Sequence, residues 1–209
     1  MAGTGKKKIG IMGGTFNPIH HGHLVTAQEA LDQFNLDQVI FIPTGDPPHK
    51  IEDFLADAED RYLMTVIAIS SNDSFLVSRA EIDRKGKSYT IDTVKELRRI
   101  HGMDAELFFI TGADAILEIL TWKNTEDIVT LAKFIAATRP GYDLSKIEDL
   151  ESTLFKSKKE ADEGISIMEI PALAISSTDI RKRIKQERPI NYLVPEGVNN
   201  YIIKHGLYR

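Results

Sequence analysis

The sequence has no cysteine, no long hydrophobic run and no extended basic tract. Without cysteine there are no disulfides, no thiolate metal ligands and no cysteine nucleophile. No apolar run approaches the roughly 18 residues typical of a membrane-spanning helix, and no stretch has the pattern of a secretory signal. These absences favour a cytoplasmic location in a reducing compartment and predict no membrane partner.

Positive charge is also scarce. The chain carries 26 Lys and Arg against 31 Asp and Glu, and no basic run is longer than that at residues 6–8. Nucleic-acid binding normally shows as a basic stripe or a basic domain, so we expect no nucleic-acid partner. The charge composition does not exclude binding of a small anionic ligand, because such a ligand needs only a local pocket.

The order of apolar runs and helix-like segments indicates the fold class. The strands are predicted at residues 8–12, 38–42, 75–78, 106–111, 133–137 and 166–170, and the helices at 23–34, 58–69, 90–101, from about 177 and at 195–205. Such alternation is typical of an α/β fold with a doubly wound, mainly parallel sheet. With 209 residues we predict one domain over 1–209, with 174–209 as a small C-terminal helical subregion. We expect the charged stretch 145–164 to be the most variable or mobile part, and residues 57–61 (DAEDR) to be a solvated helix start.

The stretch GGTFNPIHHGHL, from Gly13 to Leu24, follows the first predicted strand. A zinc site there would need three or four ligands, and only His20 and His23 are placed to contribute. No cysteine or nearby carboxylate completes a set at familiar spacing, so we predict no protein-held metal. A solvated turn remains as a second alternative.

A phosphate-binding loop explains more of the same stretch. Gly13 and Gly14 lack a Cβ and let a ligand approach the backbone. The following helix would direct its free N–H groups toward the same space. His20 and His23 are three residues apart and share one helical face, so both can hydrogen-bond one oxyanion, whereas His21 is predicted to be a bystander.

A second stretch, ISSTDIR from Ile175 to Arg181, offers complementary chemistry. Ser and Thr before an apolar-periodic run favour a helix N-cap. Arg181, about one turn into that helix, offers a planar fork to phosphate oxygens. By itself the stretch is equally consistent with an ordinary capped surface helix.

The two stretches resemble the signature motifs of the HxGH nucleotidyltransferase superfamily, G-x-F-x-P-x-H-x-G-H and I-S-S-T-x-[IV]-R. Along nearly its full length the chain resembles the bacterial nicotinate-nucleotide adenylyltransferases. The supporting segments are PTGDPPHK (43–50), SYTIDTV (88–94), TGADAILEILTWK (111–123) and TRPGY (138–142). The resemblance implies a Rossmann-like nucleotidyltransferase fold. It also implies transfer of AMP from ATP to nicotinate mononucleotide, giving deamido-NAD and pyrophosphate in NAD biosynthesis.

The resemblance also assigns site residues. The catalytic group would be His20, His23, Ser177 and Arg181. The ATP-binding residues would be these four with Gly13, Gly14, Thr15, Phe16, Gly112, Asp114, Ser176 and Thr178. The nicotinate-nucleotide-binding residues would be Thr90, Trp122, Lys123, Arg139, His49 and Lys50.

Within these sets the resemblance implies particular contacts. Asp114 would meet the ATP ribose and Arg139 the nucleotide site. Trp122 would stack on the nicotinate ring, where its face suits an N-alkylated pyridinium, and Thr90 would lie by the carboxylate. A loop bearing His49 and Lys50 would act as a lid or phosphate contact, although a solvated loop tip remains the alternative.

The cofactor and partners follow from the same resemblance. Mg²⁺ would arrive with ATP, since octahedral Mg²⁺ commonly keeps waters and substrate phosphates. Homo-oligomers are common in the family, but the sequence identifies no interface. Three other functions stay open: an adenylyltransferase for phosphopantetheine, one for the amidated nicotinamide nucleotide, and a non-catalytic nucleotide sensor on the same fold.

Overall fold

The fold is given by a computed structural model that describes residues 6–46, 54–171 and 173–209. The strands are β1 (Lys8–Gly14), β2 (Gln38–Pro43), β3 (Phe75–Val77), β4 (Glu106–Gly112), β5 (Lys133–Thr138) and β6 (Ile165–Glu169). The helices are α1 (His21–Gln33), α2 (Ala58–Ile69), α3 (Thr90–His101), α4 (Ala113–Ile116), α5 (Thr125–Leu131), α6 (Ser145–Leu154), α7 (Lys158–Gly164), α8 (Ser177–Lys185) and α9 (Glu196–His205). A 3₁₀ turn spans Ile119–Thr121.

The six strands form one parallel sheet in the order β3-β2-β1-β4-β5-β6. Lys8 of β1 lies opposite Glu106 of β4, and Phe109 of β4 lies opposite Phe134 of β5. The predicted α/β class and Rossmann-like fold are therefore confirmed. In such a sheet the segments that follow the strands gather at one edge, where ligands bind.

Two compact units make up the described chain, each assembled from separate segments. The first consists of residues 6–12, 27–39 and 89–171, and the second of residues 13–26, 40–46, 54–88 and 173–209. The single domain with a helical subregion at 174–209 stays a prediction.

The core of the first unit is built on β4 and β5. Both strands read as nearly continuous apolar runs, which is typical of parallel strands covered on both faces. Leu107, Ile110, Phe134 and Ile135 are at most 1% exposed. This rigid core fixes the positions at which the chain leaves β4 and β5.

In the second unit, α2 buries one face and packs against α9. The buried face contains Met64, Thr65 and Ala68, which follow the helical period. Gly197 of α9 lies so close to α2 that an added Cβ would come within 2.6 Å of Ile67. The predicted bounds of α2 are confirmed.

Two charged segments need comment. The stretch 145–164, expected to be the most variable or mobile part, forms α6 and α7, with Ile147 and Leu150 buried, and its variability stays a prediction. Residues 57–61 begin α2 as expected, but Arg61 is 1% exposed and is not solvated. Across residues 6–46, 54–171 and 173–209, no helix is long and apolar enough to cross a membrane.

Candidate active site

β1 ends at Gly14, two residues later than predicted. Its last two residues, Gly13 and Gly14, are therefore also the first two residues of the histidine stretch GGTFNPIHHGHL. The Gly14 carbonyl accepts a hydrogen bond from the Thr44 amide at 2.9 Å. Phe16 has a φ of +48°, whereas neither Gly13 nor Gly14 has a positive φ. A Cβ on Gly14 would lie 3.0 Å from the Phe16 ring, so this glycine makes room for the aromatic side chain.

His20 and His23 meet at the start of α1. Their rings stack with centroids 3.8 Å apart, and the His20 amide donates to Nδ1 of His23 at 3.2 Å. Because Nδ1 of a neutral His23 is thereby an acceptor, its Nε2 carries the proton and is a donor. The Phe16 ring meets His23 edge-on at 5.1 Å.

Gly22, the glycine of the HxGH motif, is needed for a steric reason. A Cβ on Gly22 would come within 3.0 Å of Cε1 and Nδ1 of the His20 ring. Contacts that close are tighter than ordinary van der Waals packing, so a larger residue would displace the ring. His21 is half-buried, its backbone amide donates to the Leu193 carbonyl, and its side chain has no described hydrogen bond.

Both site histidines are neutral at pH 7. Burial lowers the pKa of His20 from 6.5 to about 4, and the neighbouring His21 lowers it further in the same direction. Burial, followed by the effect of His20, also holds the pKa of His23 well below its ordinary value. The buried Nδ1 of His20 has no hydrogen-bond partner among the described residues. A buried polar atom of this kind is costly unless a ligand satisfies it.

The ISSTDIR stretch starts α8, and the structure brings it onto the histidine loop within the second unit. Ser176 caps the helix, its Oγ accepting from the Asp179 amide at 3.1 Å. Ser177 Oγ donates to the Pro18 carbonyl at 2.9 Å. Arg181 Nη1 donates to the Asn17 carbonyl at 2.8 Å. The predicted pair of motifs is therefore one local structure.

Thr178 and Thr15 complete the predicted residues of this unit. Thr178 is exposed in the first turn of α8, with its Oγ1 3.5 Å from Nη2 of Arg181. The Thr15 carbonyl accepts a hydrogen bond from Nη1 of Arg61 at 2.8 Å. Arg61 is a residue that the sequence analysis missed.

Asn17 is a second missed residue. Its side-chain amide donates to the Phe54 carbonyl at 3.2 Å, and its Oδ1 accepts from the Ala56 amide at 3.1 Å. Its backbone carbonyl receives Arg181, as described above. Asn17 therefore links the histidine loop to residues 54–56. The predicted lid residues His49 and Lys50 lie outside the described residues.

In the first unit, the ends of β4 and β5 carry the predicted ATP-ribose and nucleotide residues. Gly112 ends β4, and Asp114 lies exposed in α4. The Tyr142 hydroxyl donates to Oδ1 of Asp114 at 3.0 Å, and burial together with this hydrogen bond raises the pKa of Tyr142. Arg139 is exposed after β5, and its carbonyl accepts from the Tyr142 amide at 3.0 Å in a turn with Gly141 at φ +78°.

The predicted nicotinate residues of this unit lie on two segments. Thr90 is the first residue of α3, and Lys123 Nζ lies 4.3 Å from the ring centroid of Tyr89 just before it. This contact connects the two segments. Trp122 is half-buried and packs edge-on against Phe109, with 5.6 Å between ring centroids.

A cavity in the first unit is a different feature. It has a volume of about 1130 Å³ and is lined by Trp122, but not by Thr90, Lys123 or Arg139. Its lining includes Glu106 and Lys133, the first residues of β4 and β5, which mark the amino edge of the sheet. The predicted nucleotide residues follow the opposite ends of these strands.

Comparison with known proteins places the chain in a family. Residues 11–183 match the family model described as "Cytidylyltransferase-like". A relative from Moorella thermoacetica, named "Probable nicotinate-nucleotide adenylyltransferase", is 56% identical over 97% of this chain and 92% of its own length. One of the same name from Acidothermus cellulolyticus is 54% identical over 99% of this chain and 97% of its own length.

Solved structures agree on the fold. A Plasmodium falciparum nicotinic acid mononucleotide adenylyltransferase, complexed with NaAD, superposes with a TM-score of 0.73 at 23% identity and 97% coverage of both chains. At this identity the likeness shows the fold alone. The family match and the full-length relatives show that the chain belongs to the nicotinate-nucleotide adenylyltransferase family, within the cytidylyltransferase-like group.

Proposed function

We propose that the protein transfers AMP from ATP to nicotinate mononucleotide, forming deamido-NAD and pyrophosphate. The observation that carries the proposal is the junction of the two motifs in the second unit. There, the neutral His20, which is buried, and the neutral His23, which is half-buried, adjoin the N-terminus of α8, with Ser177 and Arg181 held in place by backbone carbonyls. A relative named for this activity is 56% identical over 97% of this chain, which supports the same substrates.

The reaction is a single displacement. A phosphate oxygen of the mononucleotide attacks the α-phosphorus of ATP, forming a new P–O bond. The bond from the α-phosphorus to the bridging oxygen breaks, and its electron pair leaves with pyrophosphate. The attacking phosphate is already anionic, so the step needs no general base and no protein nucleophile. Catalysis then consists of positioning and of stabilising developing charge.

The neutral histidines suit that role. Nε2 of His23, fixed as a donor by the hydrogen bond at Nδ1, would donate to an α-phosphate oxygen. His20 would donate beside it, toward the α-phosphate or the bridging oxygen. Donors that are already oriented need no reorganisation when charge develops, which is why such groups contribute strongly to rate.

Ser177 and Arg181 would hold the β- and γ-phosphates at the N-terminus of α8. Free N–H groups and the helix dipole favour anions there. The Ser177 hydroxyl proton is donated to the Pro18 carbonyl, so Ser177 would offer its backbone N–H to a phosphate. Arg181 is anchored on the Asn17 carbonyl through Nη1 and would use other N–H donors of its guanidinium. The leaving pyrophosphate and the reacting α-phosphate would therefore be held by one connected structure.

ATP-dependent adenylyl transfer typically uses a divalent metal, and we propose that Mg²⁺ enters as part of the MgATP substrate. Among residues 6–46, 54–171 and 173–209, no three His, Asp or Glu side chains are grouped so that they could hold a metal. Mg²⁺ prefers oxygen ligands and commonly keeps waters and substrate phosphates, so the polyphosphate would hold it.

The substrate-recognition roles are proposed for the first unit. Asp114 and Gly112 would contact the ATP nucleoside. Thr90, Trp122 and Lys123 would surround the nicotinate ring and its carboxylate, and Arg139 would meet the nucleotide. Support comes from the strand ends that carry Asp114 and Arg139, and from the Lys123–Tyr89 contact.

The test measures release of pyrophosphate and formation of the adenylylated product from MgATP with each of three acceptors: nicotinate mononucleotide, nicotinamide mononucleotide and phosphopantetheine. We expect the highest kcat/KM with the nicotinate nucleotide. Preference for either other acceptor would move the assignment to that adenylyltransferase. Nucleotide binding without turnover of any acceptor would favour the sensor alternative.

A further inference from the structure

We propose that Arg61 is a positioning residue for AMP transfer, which fixes the turn after β1 and through it the ring of His23. The inference rests on the proposed function for its kinetic consequence. Its structural part concerns only the second unit.

Arg61 is a buried cation surrounded by backbone carbonyls. It is 1% exposed, and its Nε donates to the Ala56 carbonyl at 3.0 Å. Nη1 donates to the carbonyls of Thr15 at 2.8 Å and Thr44 at 2.6 Å, and Nη2 donates to that of Gly45 at 2.9 Å. One guanidinium therefore connects the segment after β1, the segment after β2 and the segment that leads into α2.

Simple packing does not explain an arginine at this place. Taking a charge out of water is costly, and an apolar side chain of similar volume would fill the space without that cost. The planar fork, with five N–H donors, can hold several carbonyls in fixed directions at once. A lysine ammonium is a compact point charge and cannot reproduce that geometry. The arrangement therefore serves to hold the loops.

The Thr15 carbonyl, which Arg61 binds, is connected to the proposed catalytic residue His23 through the ring of Phe16. The Thr15 carbonyl belongs to the peptide that precedes Phe16, whose backbone has a φ of +48° and whose ring is buried. That ring meets His23 edge-on and lies against Gly14. A shift of the Thr15 peptide would move the Phe16 ring and loosen the wall that orients His23.

The first unit offers a matched control. Arg98 of α3 likewise donates to backbone carbonyls, those of Leu131 and Ala105. These two residues come just before β5 and β4, at the strand ends opposite the predicted nucleotide residues. Arg98 therefore has the same kind of hydrogen bonds without a place in the phosphate site.

The kinetic experiment compares Arg61→Lys and Arg61→Met with Arg98→Lys. A misplacement of about 1 Å can cost about 10²-fold in rate. For Arg61→Lys we expect kcat to fall about 10-fold to 100-fold, with KM for both substrates changed less than about 3-fold; Arg61→Met should lose more. Arg98→Lys should keep kcat within about 3-fold, whatever its effect on Tm.

The second readout needs no turnover. Nitrogen-15 NMR of the histidine rings reports the tautomer of His23, which in the wild type has an accepting Nδ1 and a protonated Nε2. We expect Arg61→Lys to shift or broaden these signals and Arg98→Lys to leave them unchanged. If the wild type did not form the dinucleotide, the proposed function would fail. The NMR measurement would still show whether Arg61 fixes the His23 ring.

Three results would overturn the proposal. One is wild-type kcat and unchanged His23 signals in Arg61→Lys. Another is an equal loss of kcat and Tm in the Arg61→Lys and Arg98→Lys variants, since Arg61 would then serve only the fold. The third is that Arg61→Lys does not fold while Arg98→Lys does. Arg61 would then also serve only the fold.

Discussion

The two units hold their functional residues differently. In the second unit the polar groups are locked onto backbone: Ser177 on the Pro18 carbonyl and Arg181 on the Asn17 carbonyl. In the first unit, Asp114 and Arg139 are exposed where the chain leaves β4 and β5. A group that stabilises developing charge gains from being oriented in advance, whereas a group that recognises a substrate can adjust as the substrate binds. Changes in the second unit are therefore expected to affect kcat, and changes in the first to affect KM.

The largest effect is expected for His23→Ala. Losing one pre-oriented donor to a reacting oxyanion costs on the order of 10²–10³ in kcat. Steady-state kinetics with MgATP and nicotinate mononucleotide measure it. His21→Ala is the matched control, because the His21 side chain has no described hydrogen bond and no proposed contact with substrate. Equal kcat values for the two variants would remove His23 from the reaction.

The next effect concerns His20 and stability at acid pH. Its pKa is lowered from 6.5 to about 4 by burial, so the folded state keeps it neutral while the unfolded state takes up a proton below pH 6.5. The free energy of unfolding therefore falls as the pH drops from 6.5 toward 4, by about 3 kcal/mol from this group. Urea unfolding at a series of pH values should show a smaller fall for His20→Asn. An unchanged pH dependence would mean that His20 is not held neutral by the fold.

A smaller effect is expected for Trp122→Ala in the first unit. Loss of an aromatic face beneath a pyridinium costs about 1 kcal/mol, so KM for nicotinate mononucleotide should rise roughly 5-fold with little change for ATP. Trp122→Phe keeps a ring next to Phe109 and is expected to lose less. Equal changes in KM for the two substrates would contradict the stacking role.

The smallest effect is expected for Tyr142→Phe. The variant removes the hydrogen bond to Asp114, the residue proposed to meet the ATP ribose. An exposed hydrogen bond of this kind contributes about 0.5 kcal/mol, so KM for ATP should change by about 2-fold at constant kcat. Titration of initial rate against ATP measures the change. A large drop in kcat would show that Tyr142 acts in the chemical step and would break the contrast between the units.

The strongly patterned parts of the fold were predictable. The alternation of apolar runs and helical spacing gave the six strands and the bounds of α2, because period is the clearest secondary-structure signal. The helices α6 and α7 were not predicted, since residues 145–164 are charged and weakly periodic and are ordered by tertiary packing of Ile147 and Leu150.

The site was predictable as a pair of motifs but not in its supporting contacts. The motifs indicated that His20 and Arg181 act together, and the structure brings their segments into one place. The role of Gly22 depends on where the His20 ring points, which no sequence pattern encodes. The sequence did contain a signal for Arg61, because it shares the helical spacing of the buried positions Met64 and Thr65 on α2. The acidic residues around it instead favoured the interpretation of a solvated helix start.

The most direct test of the account is the stereochemistry of transfer at the α-phosphorus. ATP in which one α-oxygen is replaced by sulfur in a known configuration would be reacted with nicotinate mononucleotide, and the configuration of the dinucleotide determined. We expect inversion, because a single in-line displacement between substrates held by His20, His23, Ser177 and Arg181 inverts phosphorus once. Retention would require two displacements through an adenylyl-enzyme intermediate, and it would contradict direct transfer.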